Sequence, residues 1–279
     1  ALSDGRLDAD DRAARYVPQW AGHPQKSRIT LRHLATHSSG LEDAEEEGRP
    51  HMELPGWKGR FWRREPDPFT ISRDEAPVRF PPGTRYAYSN PGMAMLAYCV
   101  TAALRDAPQS DLQGVMRDRI FRPIGVDDAK WSIGYGTAYE VDGLRLYANW
   151  GGGQFTARAV ARVGRLMLHG GAWNGQPLLN PALVQQALGY AGTPLPNRNA
   201  DPSAPASGLC WYTNVDGAWP GVPRDAFAGA GAGHQLLLVV PSLDLIVVRN
   251  GDRLAPEVGF WTGATRHLFE PLLAAQVVP

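Results

Sequence analysis

Two polar side chains with complementary chemistry stand two residues apart, just ahead of an apolar stretch. Tyr88 and Asn90 lie in the run Tyr-Ala-Tyr-Ser-Asn-Pro-Gly, and residues 93–104 are apolar enough for a buried helix. On an extended backbone, side chains two residues apart project to the same side. A phenol that exchanges a proton beside a carboxamide that forms hydrogen bonds is suited to acid–base chemistry on a bound substrate.

A structural role is the simpler interpretation of a lone Tyr-x-Asn, with a packed tyrosine and an asparagine that caps a turn. The wider pattern favours catalysis. Residues 81–92 read Pro-Pro-Gly-Thr-Arg-Tyr-Ala-Tyr-Ser-Asn-Pro-Gly. This run closely resembles the Tyr-x-Asn element of the serine β-lactamase-like superfamily, which includes penicillin-binding proteins, class C β-lactamases, related carboxylesterases and 6-aminohexanoate-dimer hydrolases.

Two further runs carry the resemblance. Residues 29–41 read Ile-Thr-Leu-Arg-His-Leu-Ala-Thr-His-Ser-Ser-Gly-Leu, which is similar to a structural signature of the superfamily. Three glycines at 151–153 precede Thr156, a good N-cap for a helix. A phosphate-binding loop is excluded there because the Gly-Lys-Ser/Thr ending is absent. The resemblance implies that Gly153 lies beside the substrate.

A glycine-rich strand is predicted at the superfamily's third motif, Lys- or His-x-Gly. The usual spacing back from the hairpin proline Pro241 leads to Gly229-Ala230-Gly231-Ala232, in which glycine replaces the cation. The resemblance implies that Gly229 and Gly231 line the site and that the backbone N–H of Ala232 stabilises a developing oxyanion. Without the cation, the usual anchor for a substrate carboxylate is lost, which favours ester or amide hydrolysis over β-lactam hydrolysis.

The nucleophile motif does not occur in these 279 residues. The mechanism needs a serine and a lysine one helical turn later, and none of the three lysines, Lys26, Lys58 and Lys130, follows a serine at that spacing. No Gly-x-Ser-x-Gly is present either, which argues against an α/β-hydrolase. The resemblance places the motif before the Gly-Arg-Leu passage at residues 5–7. We therefore expect the nucleophile helix and N-terminal strands upstream of Ala1, and this chain alone to be inactive.

Two other classes of function stay open. His33 and His37 are four residues apart in a helix predicted from Thr30 to Gly40, which is a possible start of a metal site. No glutamate follows His33 and no third ligand stands at a useful spacing, so a buried His37 bonded to backbone is favoured over a metal site. The other alternative is a non-catalytic binding or scaffold protein of β-lactamase fold, but such a protein has no evident need of Tyr88 beside Asn90.

The elements that would position these residues follow from the periodicity of the apolar residues, which changes near Ser207. Strands are predicted at 209–215, 235–240 and 244–249, with a turn at Pro241-Ser242-Leu243, and a closing helix at 257–275. The apolar face of that helix is predicted to contain Phe260, Trp261, Ala264, Leu268 and Leu272.

Helices followed by antiparallel strands and a terminal helix indicate the α+β class. The resemblance implies a β-lactamase/transpeptidase-like fold in a single domain, residues 1–279. Its layout is a mainly helical lobe, 31–206, inserted into a sheet-and-helix lobe formed by 1–30 and 207–279.

The composition limits the partners. Lys plus Arg and Asp plus Glu both number 28, so net charge gives no reason to expect nucleic acid or an anionic membrane. No apolar run approaches the length of a membrane span. We expect a small-molecule ester or amide substrate and no cofactor. Cys99 and Cys210 are too few for a disulfide framework and are predicted to be buried free thiols.

Overall fold

Helices dominate the first part of the chain, and an antiparallel sheet dominates the second. The computed structural model describes residues 1–255 and 257–275. Contacts divide the chain into two units, unit 1 at residues 1–154 and unit 2 at residues 155–279. The α+β class is confirmed, and the arrangement as one domain with an inserted lobe stays a prediction.

Unit 1 contains five α-helices and three strands that lie wholly within it. The helices are α1 (Leu31–Ala35), α2 (Gly56–Arg63), α3 (Pro68–Asp74), α4 (Asn90–Ala103) and α5 (Leu112–Val115), the last continued by a π-helical stretch at Met116–Phe121. The strands are β1 (Trp131–Ser132), β2 (Ala138–Val141) and β3 (Leu144–Tyr147), and β4 (Gln154–Phe155) lies at the boundary of the units. Single-turn 3₁₀ helices lie at Ala13–Arg15, Pro18–Trp20, Lys26–Arg28, His51–Glu53, Asp128–Lys130 and Gly134–Gly136.

Helix α4 is the centre of unit 1. The hydroxyl of Ser89 accepts the N–H of Gly92 at 2.9 Å and so caps the helix. Pro91 stands in the first turn, where its missing N–H leaves no helical hydrogen bond unmade. The helix is apolar around most of its circumference and packs against α1, α3 and β3. The predicted buried helix is therefore confirmed, with Cys99 buried in it.

Unit 2 is organised around a five-stranded antiparallel sheet of order β11-β10-β9-β8-β7. The strands of this sheet are β7 (Ala206–Ser207), β8 (Tyr212–Thr213), β9 (Phe227–Gly231), β10 (Gln235–Val240) and β11 (Leu245–Arg249). A separate two-stranded sheet is formed by β5 (Ala172–Trp173) and β6 (Gln176–Pro177). The helices are α6 (Ala157–Leu168), α7 (Pro181–Leu188), α8 (Phe260–Ala264) and α9 (Glu270–Ala274), with a 3₁₀ turn at Pro241–Leu243.

Strand β10 is buried on both faces. Leu236 and Leu238 pack into the cluster that contains Trp261 and Phe269, whereas Leu237 and Val239 pack into a cluster with residues of α6 and α7. Helices thus cover both sides of the sheet. The predicted turn between β10 and β11 is confirmed, because the 3₁₀ turn leads into antiparallel pairing of these strands.

The strand predicted at 209–215 is shorter than expected, because Cys210 interrupts it. Its φ of +61° is left-handed and breaks the extended backbone, so only Tyr212–Thr213 remains a strand. Cys210 lies exposed in the turn between β7 and β8, and the prediction that it is buried is wrong.

The closing helix also differs from its predicted face. A π-helical stretch at Thr265–Phe269 separates α8 from α9, and a π turn adds a residue to the helical repeat. The fully buried positions from its end onward are Phe269 and Leu273, whereas Leu272 is exposed. The predicted Phe260 and Leu268 are only partly buried and pack against the same cluster. Trp261 and Ala264 lie before the shift and are buried as predicted. None of the helices among residues 1–255 and 257–275 combines the length and apolar character needed to cross a bilayer.

The shifted register can be tested with two adjacent leucines. Leu273 is 9% exposed and Leu272 is 38% exposed. We expect Leu273→Ala to lower the free energy of unfolding by about 2 kcal/mol or more, because it leaves a cavity. Leu272→Ala is the matched control and should stay within about 0.5 kcal/mol of the parent chain. Urea unfolding measures both, and a larger loss for Leu272→Ala would contradict the register.

Candidate active site

Helix α1 ends at Ala35, and the prediction that it continues to Gly40 is wrong. The backbone of His37 is left-handed, with a φ of +54°. The N–H of Ser38 then donates to the carbonyl of His33 at 2.9 Å, which closes the helix end in a Schellman motif. Glycine is usual at the left-handed position, and here an imidazole ring occupies it.

This helix end removes the geometric premise of the metal hypothesis. His37 lies outside α1 and does not share a helical face with His33. The Nδ1 of His33 accepts the N–H of Thr30 at 3.2 Å as part of the capping box at the start of the helix. Across the part of the chain that the structure describes, no three His, Cys, Asp or Glu side chains are grouped to hold a metal ion.

The ring of His37 packs beneath Tyr88. The ring centroids lie 4.2 Å apart with a tilt of 30°, and His37 is only 8% exposed. Its Nδ1 accepts the N–H of Ser89 at 3.3 Å, and its carbonyl accepts the N–H of Ala87 at 2.8 Å. The prediction of a buried His37 bonded to backbone is confirmed. Both backbone bonds flank Tyr88, so His37 fixes the segment that carries the phenol.

The imidazole of His37 is neutral at neutral pH. Burial lowers the pKa of His37 to about 4, because the protonated ring would lose its hydration. Tyr88, by contrast, is 41% exposed. The phenol therefore rests on a buried, uncharged ring and faces outward, where a substrate can reach it.

Asn90 is held by Asp43. Its backbone N–H and its side-chain Nδ2 both donate to the same Oδ1 of Asp43, each at 2.9 Å. Asn90 is 2% exposed and is the first residue of α4, so it is no longer part of an extended run. The carboxamide is thus buried within unit 1, with its nitrogen bound to a carboxylate.

Little in the sequence distinguishes Asp43 within the acidic run from Glu42 to Glu47, because clustered charges are typical of a solvated surface. The structure corrects the expectation of a solvated run. The side chain of Glu42 is 19% exposed and pairs with Lys58 at 3.3 Å, and Asp43 faces Asn90. The only sign in the sequence that Asp43 turns inward is weak. It lies between the apolar residues Leu41 and Ala44, and both of these are buried.

Gly153 is exposed in unit 1, after two glycines that have a packing role. A Cβ atom at Gly152 would lie 2.3 Å from Cγ of Tyr135, and one at Gly151 would lie 2.4 Å from the phenol oxygen. These glycines are needed because Tyr135 packs directly on their backbone. The role of Gly153 at the substrate stays a prediction.

The glycines of β9 have no such packing role. A Cβ atom at Gly229 would meet only the ring of Trp211 at 3.8 Å, and one at Gly231 would first meet the side chain of Gln235 at 3.5 Å. Both are ordinary contacts. Because the packing of the described residues does not require glycine here, an exposed backbone open to a ligand is the better explanation.

Strand β9 extends beyond its neighbour β8, so the second half of β9 has a side without a described pairing partner. Strand β8 pairs with Phe227 and Ala228 only, so no described strand continues along Gly229–Gly231 on that side. Ala232 is the first residue of the turn that leads to β10. The predicted site residues are thus Tyr88, Asn90 and Gly153 in unit 1, and Gly229, Gly231 and Ala232 in unit 2. Their roles stay predictions.

Comparisons with known proteins agree with the resemblance. The family model described as Beta-lactamase matches residues 1–260. The chain is 26% identical over 276 residues to a 6-aminohexanoate-dimer hydrolase of Paenarthrobacter ureafaciens, covering 94% of this chain and 64% of that protein. This chain therefore spans less than two thirds of that relative's length.

Solved structures confirm the predicted β-lactamase/transpeptidase-like fold. A putative 6-aminohexanoate-dimer hydrolase from Bacillus anthracis is similar with a TM-score of 0.65 at 18% identity, covering 99% of this chain and 66% of that one. A penicillin-binding protein homologue from Caulobacter crescentus is similar with a TM-score of 0.60 at 20% identity, covering 86% and 70%.

The buried histidine predicts an acid-sensitive fold. The pKa of His37 is about 4 in the folded chain and 6.5 when unperturbed, so the unfolded chain binds the proton more readily between these values. The stability due to His37 is complete above pH 6.5 and is lost towards pH 4, by roughly 3 kcal/mol in total. His37→Asn does not titrate and tolerates the left-handed backbone, so its free energy of unfolding should fall less between pH 7 and pH 4.

Urea unfolding of both chains at several pH values measures the difference. His23→Asn is the matched control, because His23 is exposed in the same unit and asparagine can keep its bonds to backbone N–H groups. Equal flattening of the pH dependence in both variants would show that burial of His37 is not the cause.

Proposed function

Because this chain belongs to the beta-lactamase family, we propose that it is part of a serine hydrolase that cleaves small-molecule esters or amides through an acyl-enzyme. The observation that carries this proposal is the pair of Tyr88 and Asn90. An exposed phenol resting on a neutral ring and a carboxamide anchored to a carboxylate are two preorganised hydrogen-bonding groups at one helix start. Such preorganisation is what acid–base catalysis requires.

Each group has a role in the proposed reaction. Tyr88 passes a proton from the attacking serine, with the help of the lysine, to the leaving group. Asn90 bonds the lysine or an amide of the substrate. The backbone N–H of Ala232 stabilises the oxyanion, and Gly229 and Gly231 leave the backbone of β9 accessible.

The nucleophile of this proposal is a Ser-x-x-Lys on a segment that precedes Ala1. These 279 residues do not contain such a motif. The outer strand of the sheet supports the proposal, because β11 presents Leu245–Val248 at an edge that pairs with no other described strand. Apolar edge strands usually acquire a neighbouring strand or a cover, and the expected N-terminal strands would provide one.

The substrate class follows from Gly229. The position that carries a cation in relatives with a Lys- or His-x-Gly motif has no side chain here, so a substrate carboxylate has no charge-assisted bond. The name 6-aminohexanoate-dimer hydrolase, given to the relative from Paenarthrobacter ureafaciens, supports amides as well as esters. We therefore expect short acyl esters and small amides to react faster than β-lactams.

Removing one hydroxyl tests the proposed function. In a form of the protein that carries a Ser-x-x-Lys helix ahead of Ala1, Tyr88→Phe should lower kcat for 4-nitrophenyl acetate by about 10²–10⁴, because a positioned proton-transfer group is lost. Tyr86→Phe loses a hydroxyl from the same segment and is the matched control, expected to keep near-parent kcat. Far-ultraviolet circular dichroism and thermal unfolding verify that both variants fold.

A fluorophosphonate probe locates the nucleophile in the same experiment. It should label the longer form on the serine of that motif and leave the 279-residue chain unlabelled. Stoichiometric labelling of the 279-residue chain would place the nucleophile elsewhere. Labelling of neither form, with no hydrolysis, would favour a non-catalytic binding or scaffold protein. Near-parent activity of Tyr88→Phe would make Tyr88 structural.

Restoring the missing cation tests the substrate preference. Gly229→Lys has room for its Cβ beside Trp211, and its ammonium can bind a substrate carboxylate. We expect KM for benzylpenicillin to fall by about tenfold or more relative to 4-nitrophenyl acetate. Ala230→Lys is the control, because the next residue of a strand projects to the opposite face. An equal effect in the control would indicate general charge attraction.

A further inference from the structure

We propose that Asp43 is the positioning residue for Asn90, fixing its carboxamide so that the oxygen, and not the nitrogen, is presented to the reacting groups. This inference rests on the proposed function and adds a residue that the family resemblance did not indicate. Asp43 belongs to the segment after α1 that also contains His37, and it reaches Asn90 across 47 positions of the chain.

One oxygen atom of Asp43 accepts hydrogen bonds from three N–H groups. Its Oδ1 accepts the backbone N–H of Asn90 and the Nδ2 of Asn90, both at 2.9 Å, and the N–H of Ala44 at 2.8 Å. Two of the three donors belong to one residue, so both the backbone and the side chain of Asn90 are fixed relative to the same atom. A carboxylate bound in this way holds a carboxamide in a single orientation.

The chemistry of the partners decides which end of the carboxamide faces which way. Ionised carboxylates only accept hydrogen bonds, so the Nδ2 end must face Asp43. The second carboxylate near Nδ2 is Glu45, with its Oε1 at 3.5 Å. The oxygen is the other terminal atom of the carboxamide, so with Nδ2 held by Asp43 it remains the atom that can accept a hydrogen bond. Asn90 therefore offers an acceptor, which suits a lysine ammonium or a substrate N–H.

A purely structural role for Asp43 as a helix cap is not needed. Ser89 already caps α4 through the N–H of Gly92. The carboxyl group is also costly to bury: burial raises the pKa of Asp43 above its usual value, while the N–H donors of Asn90 and Ala44 act in the opposite direction. A helix start with its own cap has little need of a second, partly buried carboxylate.

Three variants separate positioning from structure. Asp43→Ala removes the acceptor, whereas Asp43→Asn keeps an oxygen that can accept the same N–H groups. Glu45→Ala removes the more distant carboxylate and is the matched control. The first readout is hydrogen exchange of the Asn90 backbone N–H in the 279-residue chain, which needs no activity. The second is kcat and KM for 4-nitrophenyl acetate in the form with the Ser-x-x-Lys helix.

We expect Asp43→Ala to speed exchange of the Asn90 N–H about tenfold or more and to lower kcat by about 10–100-fold with KM little changed, since hydrogen bonds to a charged group are lost. Asp43→Asn should recover most of both, and Glu45→Ala should resemble the parent. Where Asp43→Ala does not fold, Asp43→Ser replaces it, because its shorter side chain cannot hold both N–H groups of Asn90.

Each other outcome overturns the inference. Faster exchange with an unchanged kcat would make Asp43 only structural, and unchanged exchange would show that its bonds to Asn90 are unimportant. An equal loss of kcat in Glu45→Ala would assign the effect to the local negative charge. The proposed function fails separately: if Tyr88→Phe keeps full activity, the hydrolase mechanism is wrong, whereas a slow Tyr88→Phe beside an active Asp43→Ala refutes only the role of Asp43.

Discussion

The left-handed backbone of His37 is the constraint on which the site in unit 1 depends. A non-glycine residue in this conformation costs roughly 1–2 kcal/mol. In this chain the conformation has three structural consequences. The helix stops after one and a half turns, the imidazole turns under Tyr88, and the chain turns towards the segment that carries Asp43. One short segment after α1 thus contacts both residues of the Tyr-x-Asn pair: His37 packs against Tyr88, and Asp43 accepts hydrogen bonds from Asn90. His37 and Asp43 are only six positions apart in the chain, so the contact with Tyr88 and the hydrogen bonds to Asn90 come from one continuous segment.

The sequence predicted those features that depend on periodicity and on turn residues. The buried α4, the strands β10 and β11 with the turn between them, and the α+β class all follow from apolar spacing and from proline positions. It did not predict the end of α1, because the left-handed position holds histidine where the usual signal is glycine. It missed Asp43, because a run of acidic residues shows charge but not which one turns inward. The π-helical stretch at Thr265–Phe269 was invisible for a similar reason, since it changes hydrogen bonding without a characteristic residue.

The glycine runs in this chain occur for two different structural reasons. Gly152 is required by the chain itself, since the ring of Tyr135 occupies the space of its side chain. At Gly229 an added Cβ atom would meet only the ring of Trp211, at an ordinary contact distance. From sequence the two runs look alike, and only the packing around them separates a glycine that accommodates a neighbour from one that leaves a strand uncovered. For this reason the candidate site in unit 2 is defined by a side of β9 that no described strand pairs with, whereas the site in unit 1 is defined by contacts.

The edge formed by β11 has a consequence for the solution behaviour of the chain. Four consecutive aliphatic residues, Leu245–Val248, present backbone hydrogen-bonding groups at the margin of the sheet, and charges stand only at its two ends, Asp244 and Arg249. Such flanking charges act as gatekeepers against aggregation, and two of them give limited protection to a short apolar edge. If the β11 strands of two copies of the 279-residue chain pair antiparallel, the backbone N–H and C=O groups at the two edges can form hydrogen bonds with each other. At high protein concentration, this edge is where we expect two copies of the 279-residue chain to associate.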